Sequence, residues 1–170
     1  GLATANTLAA FRAGATHANT TVMGLGERAG NAPLEEVVLA LRQCYGQDTG
    51  IISQQLPALC QQVARAAGCL IPTRKPLVGE LVFTHESGVH VDGLLKDTRN
   101  YQGVDPAWLG REHKLVLGKH SGRHRVMAIF ARLGYALTEA QADPLLVRLR
   151  AAQGRLKRNP GEAELRSLYQ

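Results

Sequence analysis

The chain has 170 residues, of which 45% are hydrophobic and 20% charged, as in ordinary globular proteins. A formal net charge of +6 is compatible with nucleic acid, anionic metabolites or a phosphate-bearing cofactor as partners, whereas an aromatic content of 5% argues against stacking on single-stranded nucleic acid. No apolar run approaches the roughly 20 residues that a membrane span needs, and no signal peptide follows Gly1, so we expect a cytoplasmic protein. The three cysteines are odd in number and form no C-x-x-C pair, so the sequence supports neither a disulfide framework nor a zinc ribbon.

Helices and one strand are predicted before residue 68. A helix over 2–13 precedes a short buried strand over 15–23. Apolar positions with helical spacing predict a second helix over 34–45, with Glu35 placed favourably in its first turn. Ser53 is a candidate cap for a further helix. A helix, a strand, a glycine-rich loop and a helix in this order are typical of parallel α/β proteins.

The loop over 24–31 has the sequence Gly-Leu-Gly-Glu-Arg-Ala-Gly-Asn. Gly26 and its neighbouring glycines let the backbone approach a ligand closely, and Glu27, Arg28 and Asn31 are the side chains there that can grip one. In α/β proteins, catalytic and ligand-binding residues also lie at the ends of strands. The alternative is a simple turn in which Asn31 caps the next helix. A dinucleotide-binding unit is disfavoured because the spacing is G-x-G-x-x-x-G.

The composition changes after residue 68. Two prolines in a short polar stretch predict an extended linker, and we place a domain boundary at residues 69–80. The segment from His85 to His90 has the form H-E-x-x-x-H, one residue longer than the zinc-protease motif, so its histidines would not share a helix face. A basic cluster further on is predicted to be a solvated rim that could attract a dicarboxylate or the phosphates of coenzyme A. Its members are Arg111, Lys114, Lys119, Arg123 and Arg125.

The rest of the chain is predicted to be mainly helical. A short strand over 115–117 precedes a helix for which Ser121 is a plausible cap. Thr138 and Gln141 form a possible capping box at the start of another helix, which either starts afresh or kinks at Pro144. Together with the first part, these elements predict a mostly helical α/β fold.

Two stretches of the chain resemble one known family. The loop, together with Gly1-Leu-Ala-Thr-Ala-Asn before it, resembles the eighth-strand region of the homocitrate synthase and 2-isopropylmalate synthase family, metal-dependent acyl transferases on a (β/α)8 barrel. The run Phe-Thr-His-Glu-Ser-Gly-Val-His-Val-Asp-Gly over 83–93 resembles the C-terminal region of homocitrate synthases. The resemblance implies that residues 1–68 are the last portion of the TIM barrel. It also implies that residues 81–170 form helical C-terminal subdomains with short strands, which are involved in dimerisation.

The resemblance also assigns roles to single residues. It places Asn31 at a divalent metal site, for Mg, Mn or Zn. His90 would reach from one subunit of a homodimer into the barrel of its partner and act there in acid–base catalysis. His113 falls where isopropylmalate synthases can carry a tyrosine implicated in proton transfer. The positions implied to bind the 2-oxo acid and acetyl-CoA are Gly26, Glu27 and Arg28.

The reaction implied by the resemblance is the condensation of acetyl-CoA with 2-oxoglutarate to give homocitrate and CoA. Isopropylmalate synthases usually carry a further regulatory domain, so an end at Gln170 favours the nitrogen-fixation branch of the homocitrate synthases. The family's His-x-His-Asn-Asp run is missing before Gly1, so we expect an incomplete C-terminal part that is inactive alone. The alternatives are a 2-isopropylmalate synthase, which acts on 2-oxoisovalerate, and a non-catalytic dimerisation module.

Overall fold

The computed structural model describes residues 1–85, 93, 96–117, 121–156 and 158–169. The chain divides into two compact units. The first consists of Gly1–Phe83 and Val104–Glu112, and the second of Thr84–Gly103 and His113–Gln170. Each unit has its own hydrophobic core. The domain boundaries expected from composition and resemblance remain predictions.

Three α-helices form the first unit: α1 (Ala3–Arg12), α2 (Leu34–Tyr45) and α3 (Leu56–Ala67). Helix α2 has the bounds that the apolar spacing predicts, whereas Ser53 lies in a 3₁₀ turn before α3 and does not cap that helix. Each of the two helices is followed by a glycine in the left-handed conformation that ends a helix. Short 3₁₀ turns lie at Val22–Gly24, Ser53–Gln55 and Pro106–Leu109. The core of this unit contains Val38, Leu39, Leu56, Phe83 and Leu109.

The strand predicted over 15–23 is wrong. The backbone there makes one parallel bridge, in which Thr21 pairs with Pro33, and Val22–Gly24 turns as a 3₁₀ helix. A strand needs a neighbour for its hydrogen bonds, and the described part of the first unit supplies none beyond that bridge. The barrel portion expected from the resemblance is therefore not confirmed. Residues 77–83 form turns and add no strand to this unit.

The second unit joins a small sheet to a helical bundle. Strands β1 (Thr84–His85) and β2 (Lys114–Leu115) are parallel, with His85 opposite Leu115. The helices are α4 (Arg123–Arg132), α5 (Glu139–Leu156) and α6 (Glu162–Tyr169), and a 3₁₀ turn lies at Thr98–Tyr101. Their apolar faces enclose one core of buried side chains. It contains Leu117, Val126, Ile129, Phe130, Leu137, Ala142, Leu145, Leu146, Leu149 and Leu165.

The helix caps of the second unit follow the sequence prediction in part. The capping box is confirmed, because the Thr138 amide donates to Gln141 Oε1 (2.9 Å) and the Gln141 amide donates to Thr138 Oγ1 (3.3 Å). Helix α5 continues through Pro144 as one element and does not start afresh there. The residue before α4 is Gly122, while Ser121 is buried and does not cap it. No helix among the described residues is long and apolar enough to cross a membrane.

Candidate functional site

The glycine-rich loop over 24–31 folds tightly back on itself. The Asn31 amide donates to the Gly24 carbonyl (2.9 Å), which closes the loop. A Cβ atom added to Gly30, whose φ is +88°, would lie 2.2 Å from the Gly24 carbonyl oxygen, and one added to Gly26 would lie 2.2 Å from Asn31 Nδ2. Gly30 is therefore required by the backbone opposite it, and a side chain at position 26 would have to displace the amide of Asn31.

The side chain of Asn31 is anchored by its nitrogen. Asn31 Nδ2 donates to the Leu25 carbonyl (2.8 Å), an oxygen that also accepts from Thr21 Oγ1 (2.7 Å). This bond fixes the amide plane and leaves Oδ1 as the atom that can face a ligand. The residue before α2 is Pro33 and no side chain caps that helix, so the alternative of Asn31 as a helix cap is wrong.

Glu27 and Arg28 lie at the tip of the same loop. Their side chains are exposed, and Arg28 Nη1 lies 3.6 Å from Glu27 Oε2. Such an exposed pair contributes little stability, so both side chains are free to exchange this contact for a ligand. Gly26, Glu27, Arg28 and Asn31 thus belong to one compact turn, as the sequence predicts from their adjacency.

A buried ionic cluster lies at the base of the loop. Glu35 is completely buried, and its Oε2 accepts from the amide of Met23, which has a positive φ of 59°. Lys75 Nζ lies 3.1 Å from Glu35 Oε1 and 3.0 Å from Glu36 Oε1, and Thr4 Oγ1 donates to Glu36 Oε2 (2.8 Å). We call Thr4, Glu35, Glu36 and Lys75 the ionic cluster. It fixes the backbone where the chain enters the loop.

The environment of the ionic cluster shifts two pKa values. Burial, followed by the charge of Glu35, raises the pKa of Cys60 to about 11. Burial lowers the pKa of Lys75, but its hydrogen bonds to Glu36 and Glu35 and their charges outweigh that effect, so the pKa lies above its usual value. Cys60 is therefore a neutral thiol and Lys75 a permanent cation at neutral pH.

A chain of three polar side chains lies in the second unit. His85 Nε2 is 3.0 Å from His113 Nδ1, and His113 Nε2 is 3.1 Å from Gln102 Oε1. The parallel pairing of β1 and β2 brings the two histidines together, with ring centroids 5.0 Å apart. We call His85, His113 and Gln102 the histidine chain. The sequence predicted a role for His113 but for neither of its partners, which lie 28 and 11 positions away.

The predicted solvated rim is wrong for two of its arginines. Arg111 donates from Nη1 to the carbonyls of Leu77 (2.8 Å) and Gly79 (2.9 Å) and thereby holds turns of the first unit. Arg125 is buried and donates to the His85 carbonyl. The sequence could not indicate these bonds, because their acceptors are backbone oxygens that any residue supplies.

Two predicted features remain without a structural account. His90 lies outside the described residues, so its geometry and its reach into a partner stay predictions. Among the described residues, no three His, Cys, Asp or Glu side chains gather in a way that could hold a metal ion. Asn31 offers one neutral oxygen, which does not make a divalent metal site by itself. The remaining ligands would have to come from outside the described residues.

Two family models match the chain in succession. Residues 1–63 match the HMGL-like family, and residues 77–157 match the family described as homocitrate synthase post-HMGL domain-like. The glycine-rich loop lies within the first match and the histidine chain within the second.

Several curated proteins are similar to the chain. Homocitrate synthase 1 of Nostoc sp. is 46% identical over 168 residues, 99% of this chain and 45% of the relative. 2-Isopropylmalate synthase 2 of Caldanaerobacter subterraneus subsp. tengcongensis is 46% identical over 170 residues, 100% of this chain and 44% of the relative. A protein of Methanosphaerula palustris, provisionally named an (R)-citramalate synthase, is 49% identical over 150 residues, 88% of this chain and 30% of the relative. The chain thus spans less than half the length of these relatives.

Proposed function

This chain belongs to the family of homocitrate, citramalate and 2-isopropylmalate synthases, and we propose that it is part of an enzyme that condenses acetyl-CoA with 2-oxoglutarate to give homocitrate. The observation that supports the proposal most is the loop over 24–31, in which Gly26 leaves room for the anchored amide of Asn31. A loop held this closely presents backbone and one amide oxygen in a fixed geometry, as a binding site requires.

The proposed reaction balances as follows. A base removes a methyl proton from acetyl-CoA, and the resulting enolate carbon forms a bond to the ketone carbon of 2-oxoglutarate. The ketone oxygen takes up a proton, and water then cleaves the thioester, which releases homocitrate and the free thiol of CoA. Each proton transfer needs a positioned group that titrates near neutral pH, and histidine is the usual choice.

The residues of this chain have distinct proposed roles. Gly26, Glu27 and Arg28 bind substrate, with the exposed cation of Arg28 attracting a carboxylate. Asn31 contributes one oxygen to a divalent metal whose other ligands lie outside the described residues. The proton-transfer residues are His90 and His113.

We test the proposal by the release of free thiol from acetyl-CoA in the complete gene product that contains this chain. Pyruvate, 2-oxoglutarate and 2-oxoisovalerate are offered in parallel with a divalent metal present. Thiol release that depends on 2-oxoglutarate supports a homocitrate synthase. Dependence on one of the other acids alone would make the protein a citramalate or 2-isopropylmalate synthase, in keeping with its similarity to both. No dependence on any 2-oxo acid would favour the dimerisation module.

The proposed action of His90 across a homodimer has its own test. A copy with Asn31→Ala is co-expressed with a copy with His90→Ala, each inactive alone. If His90 acts in the neighbouring subunit, mixed dimers contain one intact site, and about a quarter of the wild-type activity returns. If His90 acts within its own subunit, no site is intact and the mixture stays inactive.

A further inference from the structure

Met23, at the entrance of the glycine-rich loop, has a backbone conformation that needs support. Its φ is 59° and its ψ is 9°, in the left-handed region that a residue with a Cβ adopts when its surroundings hold it there. Gly24, the next residue, also has a positive φ of 75°. The chain turns at these two residues, and the Gly24 amide donates to the Thr21 carbonyl (3.1 Å). The conformation of Met23 therefore sets the path of the chain into the loop.

The support comes from the carboxylate of Glu35. Its Oε2 accepts from the Met23 amide (3.0 Å), and its Oε1 lies 3.1 Å from Lys75 Nζ. The carboxylate is completely buried in the first turn of α2, between a backbone amide and a cation. A buried carboxylate with such partners is costly to move. Glu35 therefore ties Met23 to the start of α2.

The two hydrogen bonds that hold Asn31 are made to the residues directly after Met23. The Gly24 carbonyl accepts from the Asn31 amide (2.9 Å), and the Leu25 carbonyl accepts from Asn31 Nδ2 (2.8 Å). The turn at Met23 directs both carbonyls, so a change in that turn moves both acceptors. The position of Asn31 Oδ1 thus depends on the bond between Glu35 and Met23.

We propose that Glu35 is a positioning residue for the loop over 24–31, and that it acts through the Met23 amide to place the side chain of Asn31. The group that holds the loop is the oxygen that accepts from Met23, while the contact with Lys75 balances the charge of the buried carboxylate. Glu35 is inaccessible from outside, so it touches no substrate itself. The catalytic consequence of this inference rests on the proposed function, whereas the geometry of the loop does not.

Two double variants of the complete gene product separate the acceptor from the ion pair. Lys75→Met/Glu35→Gln removes both charges and keeps an oxygen that can accept from the Met23 amide. Lys75→Met/Glu35→Met removes both charges and the acceptor, at similar side-chain volume. Apolar replacement of a buried ion pair is generally tolerated, so the comparison isolates the acceptor. Glu36→Gln, a change at the other carboxylate beside Lys75, is the matched control.

The first measurement is hydrogen–deuterium exchange by mass spectrometry. The amides of residues 22–31 should exchange about tenfold faster in the Glu35→Met double variant than in the Glu35→Gln double variant, the size expected for the loss of one hydrogen bond. This increase should exceed any change at the buried Leu39 and Leu41 of α2. A merely structural role would raise exchange in the loop and in α2 by the same factor. Glu36→Gln should leave exchange in the loop as in the wild type.

The second measurement is kcat/KM for the 2-oxo acid. We expect a value for the Glu35→Met double variant that lies about 10- to 100-fold below that of the Glu35→Gln double variant, because small displacements of groups around a reacting centre cost up to ~10²-fold. The recovery with glutamine identifies the acceptor oxygen, and not the ion pair, as the group that places the loop.

The outcomes separate the inference from the proposed function. Equal loop exchange in the two double variants, or a loop that opens as much with glutamine as with methionine, would overturn the inference even in an active enzyme. Different loop exchange with equal kcat/KM would overturn the catalytic consequence alone. The expected exchange in a protein that condenses no 2-oxo acid would contradict the proposed function and leave the role of Glu35 in the loop standing.

Discussion

Two polar clusters lie beside the candidate functional residues, one in each unit, and they differ in burial and in charge. The ionic cluster holds a completely buried carboxylate against a lysine and binds the amide of Met23. The histidine chain is half-buried and joins two imidazoles and the amide of Gln102 by hydrogen bonds. A buried ion pair is costly to disturb and so fixes geometry, whereas half-buried imidazoles can gain and lose a proton. The first cluster therefore holds the entrance of the loop in place, and the second contains His113, one of the residues proposed for proton transfer.

Removing the cation of the ionic cluster should have the largest effect. Lys75→Met leaves the buried carboxylate of Glu35 without its partner, which costs about 3–5 kcal/mol of unfolding free energy. Urea unfolding followed by the fluorescence of Trp108, the only tryptophan of the chain and a residue of the first unit, measures it. The double variant Lys75→Met/Glu35→Gln should regain a large part of the loss. If the single variant costs less than about 1 kcal/mol, the cluster is not a positioning device.

A methyl group in the loop should have the next largest effect. Gly26→Ala places a Cβ against Asn31 Nδ2, and relief of that overlap costs about 1–3 kcal/mol and displaces the Asn31 amide. We expect lower stability by the same fluorescence measurement and a loss of condensing activity in the complete gene product. Gly103→Ala, where a Cβ would meet nothing within 4 Å, is the matched control. Equal unfolding free energies and equal activities of Gly26→Ala and Gly103→Ala would contradict the tight loop described above.

Alkaline pH should weaken the first unit. The pKa of Cys60 in the folded chain, about 11, lies above the ordinary value of 9.0, so the folded state binds the thiol proton more tightly than the unfolded state does. Its contribution is complete below pH 9 and disappears as the pH rises through 11, a loss of roughly 2 kcal/mol. The raised pKa of Lys75 acts in the same direction above its ordinary value of 10.5.

The comparison for this pH dependence is Cys60→Ala. The variant lacks the thiol, so its unfolding free energy should fall less steeply between pH 9 and 11 than that of the wild type. The exposed Cys44 should react with a thiol reagent at neutral pH, while the buried Cys60 should react only as the chain unfolds. Identical slopes for wild type and variant would show that Cys60 does not titrate as described.

The smallest expected effect lies in the second unit. Gly154→Ala, at an exposed position of α5 where a Cβ meets nothing within 4 Å, should raise the stability by about 0.5–1 kcal/mol. Thermal unfolding by circular dichroism measures the gain. An unchanged or lower melting temperature would contradict the expected gain.

Local sequence signals predicted the helices but not the strand or the polar contacts. The spacing of apolar residues identified α2, and the capping box at Thr138 was confirmed because both members lie within one turn. The predicted strand over 15–23 does not form because a strand needs a neighbouring segment for its backbone hydrogen bonds. Within this range only Thr21 pairs with another residue, Pro33.

The candidate site was predictable only where its residues are adjacent in sequence. The glycine spacing indicated a tight loop over 24–31, which the close contacts within the loop confirm, while the approach of its backbone to a ligand stays a prediction. Glu35 lies in the first turn of α2 as expected, but its burial against Lys75 was not predicted, because no local pattern connects the two residues. In the sequence, His85 begins an H-E-x-x-x-H segment that does not match the zinc-protease motif. Its hydrogen bond with His113 depends on the register of two strands, which the sequence does not indicate. Contacts of this kind follow from the folded chain rather than from residue spacing.

The most direct test of the account follows the carbon atoms of the acetyl group. The complete gene product is supplied with acetyl-CoA labelled with ¹³C at both acetyl carbons, together with 2-oxoglutarate, and the products are analysed by mass spectrometry. We predict a tricarboxylic acid that contains both labelled carbons and forms in equal amount to free CoA. Release of CoA with only labelled acetate would mean that the protein hydrolyses the thioester without forming a carbon–carbon bond, and would contradict the proposed condensation.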